Sequence, residues 1–210
     1  MFKNSVFGLI ALDFGALYMD EIAQILAYLI IGGYHAYKWY KRHQAEQNKK
    51  KLKKQEMARL DYLMIHCTAT PKGRNISSDW IRKIHLKHNG WRQVGYRDMI
   101  HLDGSLENLV NWDQDEQVES WEVTNGARGM NSKTAHVVYV GGVGVDAKTP
   151  EDTRTHEQYD CLRDYVWFYI RRYPNIKVIG HNEVANKSCP SFDVGEFCRE
   201  IGIPRKNIGL

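Results

Sequence analysis

Residues 180–193 read GHNEVANKSCPSFD, which puts a histidine, a lysine, a cysteine and an aspartate close together. His181 and Cys189 are near enough in sequence to reach one metal ion, but two ligands do not make a site. A third candidate lies far upstream. His66 closes the apolar run YLMIH much as His181 closes IKVIGH. Each therefore stands at the C-terminal end of a short strand-like run, where open α/β sheets collect their ligands. Zinc takes imidazole and thiolate in tetrahedral geometry, and a catalytic zinc keeps its fourth position for water. Two histidines and one cysteine would supply three ligands and leave that position free. Spacing alone leaves the plainer reading open, in which the histidines are satisfied core residues and Lys187 is a surface charge.

Such a site needs a sheet to hold it. YLMIHCTAT and IKVIGH read as buried strands, TAHVVYVGG as a β-branched strand stopped by glycines, and GYRDMIHLDGS as a strand with a D-G turn. SSDWIRKIHLKHNGW opens with capping residues and spaces Trp80, Ile81, Ile84 and His88 as one helical face, ended by Gly90. EDTRTHEQYDCLRDYVWFYIRRYP reads as a long amphipathic helix ended by Pro174. Interleaved strands and helices predict an α/β fold with a central mixed β-sheet flanked by helices, over residues 61–203. The four cysteines show no CxxC pairing and read as reduced thiols.

The basic charge lies outside this body. Residues 1–60 hold ten Lys/Arg against five Asp/Glu, and the remainder nineteen against twenty. A body without net positive charge argues against nucleic acid as its partner. Residues 1–40 hold two apolar runs, the second spanning residues 22–37 and followed by Lys38. That run is shorter than the roughly 20 residues of a spanning helix. Tyr34, Tyr37, Trp39 and Tyr40 beside a basic flank have the look of an interfacial aromatic belt. Residues 1–40 are thus expected to be an apolar helical extension and candidate membrane anchor; a helix packed on a partner is the alternative. Residues 41–60 are expected to form a basic helical linker. The start is not a standard cleavable signal peptide, and the positive flank favours a body that stays on the cytoplasmic side.

The motifs IHCTAT, GWRQVGYRDMIHLDGS, GARGMNS, VVYVGG and GHNEVANKSCPSFDV occur in the order seen in type-2 N-acetylmuramoyl-L-alanine amidases. The chain most resembles the amidase-type lysozymes (endolysins) of short-tailed bacteriophages, whose fold is shared with peptidoglycan recognition proteins. The resemblance covers roughly residues 61–200. It implies a Zn2+ site on His66, His181 and Cys189, with Tyr96 and Lys187 as catalytic residues. It also implies hydrolysis of the amide between N-acetylmuramic acid and L-alanine in peptidoglycan, during host lysis. The enzyme would be made in the host cytoplasm, in association with the inner membrane if the extension is an anchor.

Two departures bear on the substrate cleft. Arg97 and Gly126 stand where this family commonly has histidines, so Arg97, Arg128, Asn131 or Trp112 become candidates for cleft contacts. Two alternatives to the enzyme are a non-catalytic peptidoglycan-binding module and a regulator of the phage RNA polymerase. Non-catalytic members of the fold typically lack the cysteine ligand, and Cys189 is present here. Nothing in the sequence supports the polymerase role.

Overall fold

The structure, a computed structural model, describes residues 32–49 and 58–210. These fall into two units, residues 1–56 and 57–210. In the first, residues 32–49 form a helix, α1, that runs unbroken across the expected boundary at residue 40. After Gly33 the segment has no helix breaker. Lys38 lies 4.7 Å over the Tyr34 ring and Lys41 lies 5.6 Å over Tyr37, as four-residue spacing on a helix allows. The first apolar run, most of the second, and residues 50–57 of the basic linker lie outside the described residues, and the linker's last residues are not helical: Ala58–Arg59 form a strand, β1. Among the described residues no helix is long and apolar enough to cross a membrane.

The second unit is built on a five-stranded sheet of order β5-β4-β7-β2-β9. Its strands are β2 (Tyr62–Cys67), β4 (Asp98–Ile100), β5 (Leu106–Asn108), β7 (Thr134–Tyr139) and β9 (Lys177–Gly180). Three of its four pairs, β4 with β7, β7 with β2 and β2 with β9, are parallel, and only β5 joins antiparallel, at the edge. The sheet is therefore mixed, as expected. Two-stranded pairs complete the unit, β1 (Ala58–Arg59) with β6 (Gln117–Val118) and β3 (Thr70–Pro71) with β8 (Gly142–Val143). Strands β2 and β7 are covered on both faces, which is why they read as nearly continuous apolar runs.

Side-chain alternation divides the sheet. Leu63, Ile65, Val137 and Tyr139 face helix α3 (His156–Arg172) and meet Leu162, Val166 and Tyr169. Thr155 and Gln158 form a capping box at the start of α3, and the helix stops at Tyr173, just before Pro174. Helix α4 (Val194–Glu200) packs on this face through Val194 and Phe197. Met64, His66, His136 and Val138 alternate with the first set and belong to the other face.

That other face is covered by α2 (Ser78–Arg82), capped by Ser77 as expected, which continues as a π-helix over Lys83–His88. The wide turn is visible in the bond from Asn89 N to the Ile84 carbonyl, 2.9 Å. One extra residue per turn changes which side chains face inward. His85 is buried while His88 is exposed, so the expected face of Trp80, Ile81, Ile84 and His88 is corrected in its last turn.

Arg97 and Trp112 also differ from expectation. Arg97 is only 2% exposed; its Nη1 donates to the Tyr169 hydroxyl at 3.3 Å, and its guanidinium lies 4.6 Å over Trp112. Trp112 stacks on Tyr169 at 5.6 Å. Both therefore pack against α3, on the face away from His66, and neither is a cleft residue. The acidic segment around them has its own anchor. Glu122, 2% exposed, accepts from the backbone N–H of Asp113 at 2.8 Å and of Glu119 at 3.1 Å.

A cleft role and a core role for Arg97 have different signatures. Arg97→Ala should lower the unfolding free energy by about 2–3 kcal/mol, because it breaks a buried, bonded and stacked side chain. Arg128→Ala, at an exposed position, should stay within about 0.5 kcal/mol of the parent. Denaturant titration measures both. An Arg97→Ala protein of unchanged stability but raised KM would return Arg97 to the cleft.

Candidate metal centre

The site starts from the parallel register of two neighbouring strands. Ile65 pairs with Gly180, so the next residue on each strand, His66 and His181, comes side by side at the carboxyl edge. Their ring centroids are 4.6 Å apart. The chain then turns through a 3-10 segment, His181–Glu183, tied back by Glu183, whose Oε1 accepts from Gly180 N at 2.7 Å. The loop is closed by the bond from Asn182 N to the Cys189 carbonyl, 2.7 Å, and by Tyr139, whose hydroxyl donates to the Pro190 carbonyl at 2.7 Å. These bonds return Cys189 to the end of β2. Gly142 gives the room: at φ +97°, a Cβ there would stand 2.5 Å from the Cβ of Cys67.

One ligand atom each from His66, His181 and Cys189 lies within 4.8 Å of the other two. His66 Nδ1 is 3.7 Å from Cys189 Sγ. Tetrahedral zinc with ordinary Zn–N and Zn–S bonds would place such a pair about 3.6 Å apart. The donor set and its spacing therefore fit a four-coordinate zinc with one position left over. A second group, Asp113, Glu119 and Glu122, also brings its oxygens together. Two of those oxygens already accept backbone N–H bonds, which makes the group the bracket of its own loop.

The electrostatics suit a cation. Burial first, then His136 and His181, hold the His66 pKa well below its ordinary value. Burial and then Lys187 lower that of His181. Both rings are thus neutral at pH 7, with lone pairs to give. Protein groups alone push the Cys189 thiol up, by its hydrogen bond with Cys67 and by burial, while Lys187 pulls it down. A bound divalent cation would reverse the balance, since it deprotonates a coordinating thiol outright. The backbone N–H of Cys67, 3.3 Å from Cys189 Sγ, stands ready as a donor to the thiolate.

Tyr96 lies against this centre, its ring 5.2 Å from that of His66. Burial, then Cys189 and Cys67, push its pKa up, so it remains a neutral phenol. Beside these candidate ligands a cavity of about 580 Å3 is lined by His181, Lys187, Arg128, Asn131, Gly126 and Trp91, among others. Lys187 and Arg128 are exposed on its wall. Asn131 has its Oδ1 occupied by the N–H of Ala127, at 2.8 Å. Of the candidates from sequence, His66, His181, Cys189, Tyr96, Lys187, Arg128 and Asn131 come together here, and Arg97 does not.

Two histidines were missed. His85 stacks on Trp91 at 4.5 Å, meets the Tyr96 ring edge-on at 5.2 Å and accepts from Gly95 N at 3.0 Å. His136 lies next to His66, its Nδ1 2.9 Å from Nε2 of that ring. The alternation of TAHVVY could have placed His136 on the site face. The π-turn that buries His85 has no comparable signal.

The family described as N-acetylmuramoyl-L-alanine amidase matches residues 56–192. The chain belongs to that family. Among relatives of this amidase, the endolysin of Enterobacteria phage K11 is 35% identical over 136 residues, covering 64% of this chain and 83% of that protein. The endolysin of Escherichia phage T7 is 35% identical over 135 residues, covering 64% and 82%. In fold, the amidase resembles the N-acetylmuramoyl-L-alanine amidase LysC of Clostridium intestinale URNW, with TM-score 0.54 and 21% identity over 70% of this chain and 88% of that one. It also resembles the Drosophila peptidoglycan recognition protein PGRP-LB, with TM-score 0.51 and 19% identity over 72% and 84%.

The buried histidine under Tyr96 makes the amidase sensitive to acid. Burial lowers the His85 pKa from 6.5 to about 4. The unfolded chain takes up this proton first, so the contribution is whole above pH 6.5 and is lost as pH falls toward about 4. His85→Gln keeps an acceptor for Gly95 N and removes the titration. Its unfolding free energy should fall less steeply over that window than the parent's. Parallel slopes would show that His85 does not carry the effect.

Proposed function

We propose that this amidase is a phage endolysin that holds one Zn2+ on His66, His181 and Cys189. It hydrolyses the amide between the lactyl group of N-acetylmuramic acid and the L-alanine of the stem peptide. The observation that carries this reading is the meeting of three neutralised or thiol donors at the edge of a cavity that also holds Lys187. An unactivated amide needs a strong nucleophile and a stabilised oxyanion. Zinc supplies Lewis acidity, which generates a nucleophile from water near neutral pH and polarises the carbonyl.

The chain's own groups do the rest. Tyr96, kept as a phenol, donates a hydrogen bond toward the developing oxyanion or holds the attacking water in place. Lys187 brings a positive charge to the cavity wall, where negative charge develops in the transition state. Arg128 and Asn131 line the same cavity and contact the glycan or peptide on either side of the scissile bond. A binding module without catalysis has no need of Cys189, whose sulfur completes the donor set.

The extension adds a second element to the proposal. Tyr34, Tyr37, Trp39 and Tyr40 are more than half exposed on α1, between Lys38, Lys41 and Arg42. Aromatic and basic side chains together favour the headgroup region of a bilayer. In this reading residues 1–40 associate the precursor with the inner membrane, its catalytic unit on the cytoplasmic side until lysis.

Purified protein should hold about one zinc per chain, as one such site implies, and Cys189→Ala should lose zinc and activity together. Lys187→Ala and Tyr96→Phe should retain zinc and lose on the order of 10²-fold in kcat, as for a missing oxyanion donor. The product to follow is stem peptide with a free N-terminal L-alanine. Full activity of chelated, zinc-free protein would sink the zinc reading, and parental rates in both variants would sink the roles of Lys187 and Tyr96.

A chain lacking residues 1–56, cut before β1, should be soluble and active. Fractionated cells should yield full-length protein with the membranes and the truncated form in the supernatant. Full-length protein wholly in the supernatant rules the anchor out.

A further inference from the structure

His136 is completely buried in the middle of β7, among Ala135, Val137 and Val138. A polar ring in the centre of a parallel sheet is costly unless it is bonded. Its Nδ1 lies 2.9 Å from His66 Nε2, while the other nitrogen of His66, Nδ1, lies 3.7 Å from Cys189 Sγ. The two nitrogens of His66 therefore have separate assignments, one toward the metal ligands and one toward His136. A neutral imidazole has a single N–H to divide between them. To bind a cation at Nδ1, His66 must carry its proton on Nε2, and the group waiting there is His136 Nδ1. His136 must then be an acceptor at Nδ1 and hold its own proton on Nε2, an atom without a hydrogen-bond partner among the described residues.

The ring is admitted by a missing side chain. A Cβ at Gly126 would stand 2.6 Å from Cγ of His136 and 2.7 Å from the Gly95 carbonyl. Gly126 was noted as a departure from the family's usual histidine, and the space at that position is taken by the imidazole from β7.

We propose that His136 is a positioning residue of the metal centre: it accepts the Nε2–H of His66, fixes that ring in the tautomer and orientation that present Nδ1 to the metal, and requires Gly126 for its own place. The proposal rests on the zinc reading above. A partner of this kind behind a ligating histidine is generally worth 10–100-fold in metal affinity.

The test is a zinc titration of full-length protein against a competing chelator, comparing the parent with His136→Leu and His136→Asn. Leucine fills the space without an acceptor; asparagine can present its Oδ1 close to the position of the ring Nδ1. His136→Leu should bind zinc about 10–100-fold more weakly, and His136→Asn should recover most of that loss. With cobalt in place of zinc, the thiolate-to-cobalt absorption should change in the leucine variant and return in the asparagine variant. Should His136→Leu fail to fold, nitrogen-15 spectra of the zinc-loaded parent decide: His66 protonated at Nε2 supports the proposal, and protonation at Nδ1 overturns it. Equal zinc affinity in folded His136→Leu and parent also overturns it, while leaving the zinc site itself standing. A parent that binds no zinc overturns the zinc reading, and this inference with it.

Discussion

The pairing of β2 with β9 is the constraint on which the rest depends. Parallel strands in register bring equivalent positions side by side, so one pairing sets two imidazoles next to each other at the sheet edge. Everything else at the site is fitted to that pair. The loop after His181 is braced so that Cys189 folds back over β2, and Tyr96 closes from the side. A slip of one residue between β2 and β9 would turn the ligands to opposite faces. Burial on both faces makes such a slip expensive, because it would carry Met64 and Ile65 into each other's surroundings.

The two faces of the sheet carry different kinds of polarity. On the α3 face, Arg97 and Asp98 are buried among tyrosines. Tyr165 donates to Asp98 at 2.6 Å, Arg97 donates to Tyr169, and Trp112 stacks above. These groups bond and stack on one another, with Arg97 Nε the buried atom among them left without a hydrogen-bond partner among the described residues. On the opposite face lie buried histidines whose ring nitrogens are directed at one another and at a sulfur. The first arrangement holds the sheet against its helix, and the second can take up a cation.

Much of this was legible beforehand. His66, His181 and Cys189 could be singled out because each closes an apolar run or sits in a dense polar loop, though only the resemblance to the amidases made them a ligand set, and the fold class followed from runs short enough for strands alternating with one long amphipathic helix. Arg97 was misplaced because it stands where the family commonly has a histidine, and no local pattern announces a guanidinium buried between aromatic rings. Trp112 and Tyr169, the rings that hold it, are far apart in sequence. His85 was hidden for another reason. A period of 3.6 puts His88 inward, and only the wider π-turn puts His85 there. His136 could be placed by strand alternation, but its partner is set by sheet order, which a strand pattern does not contain.

The sequence separation of the ligands has a consequence for biosynthesis. His66 and Cys189 are 123 residues apart, and β2 waits for β7 on one side and β9 on the other. A ribosome delivers β2 long before the loop that carries Cys189. No partial product that lacks the Cys189 loop has the full ligand set, and no early hairpin can assemble it, because the contacts that define it are long-range. On the zinc reading proposed above, a chain still lacking Cys189 would hold only two of the three donors. If these three residues hold a metal as proposed, its capture would wait for the pairing of β2 with β9 and the return of the Cys189 loop, and would come late in folding.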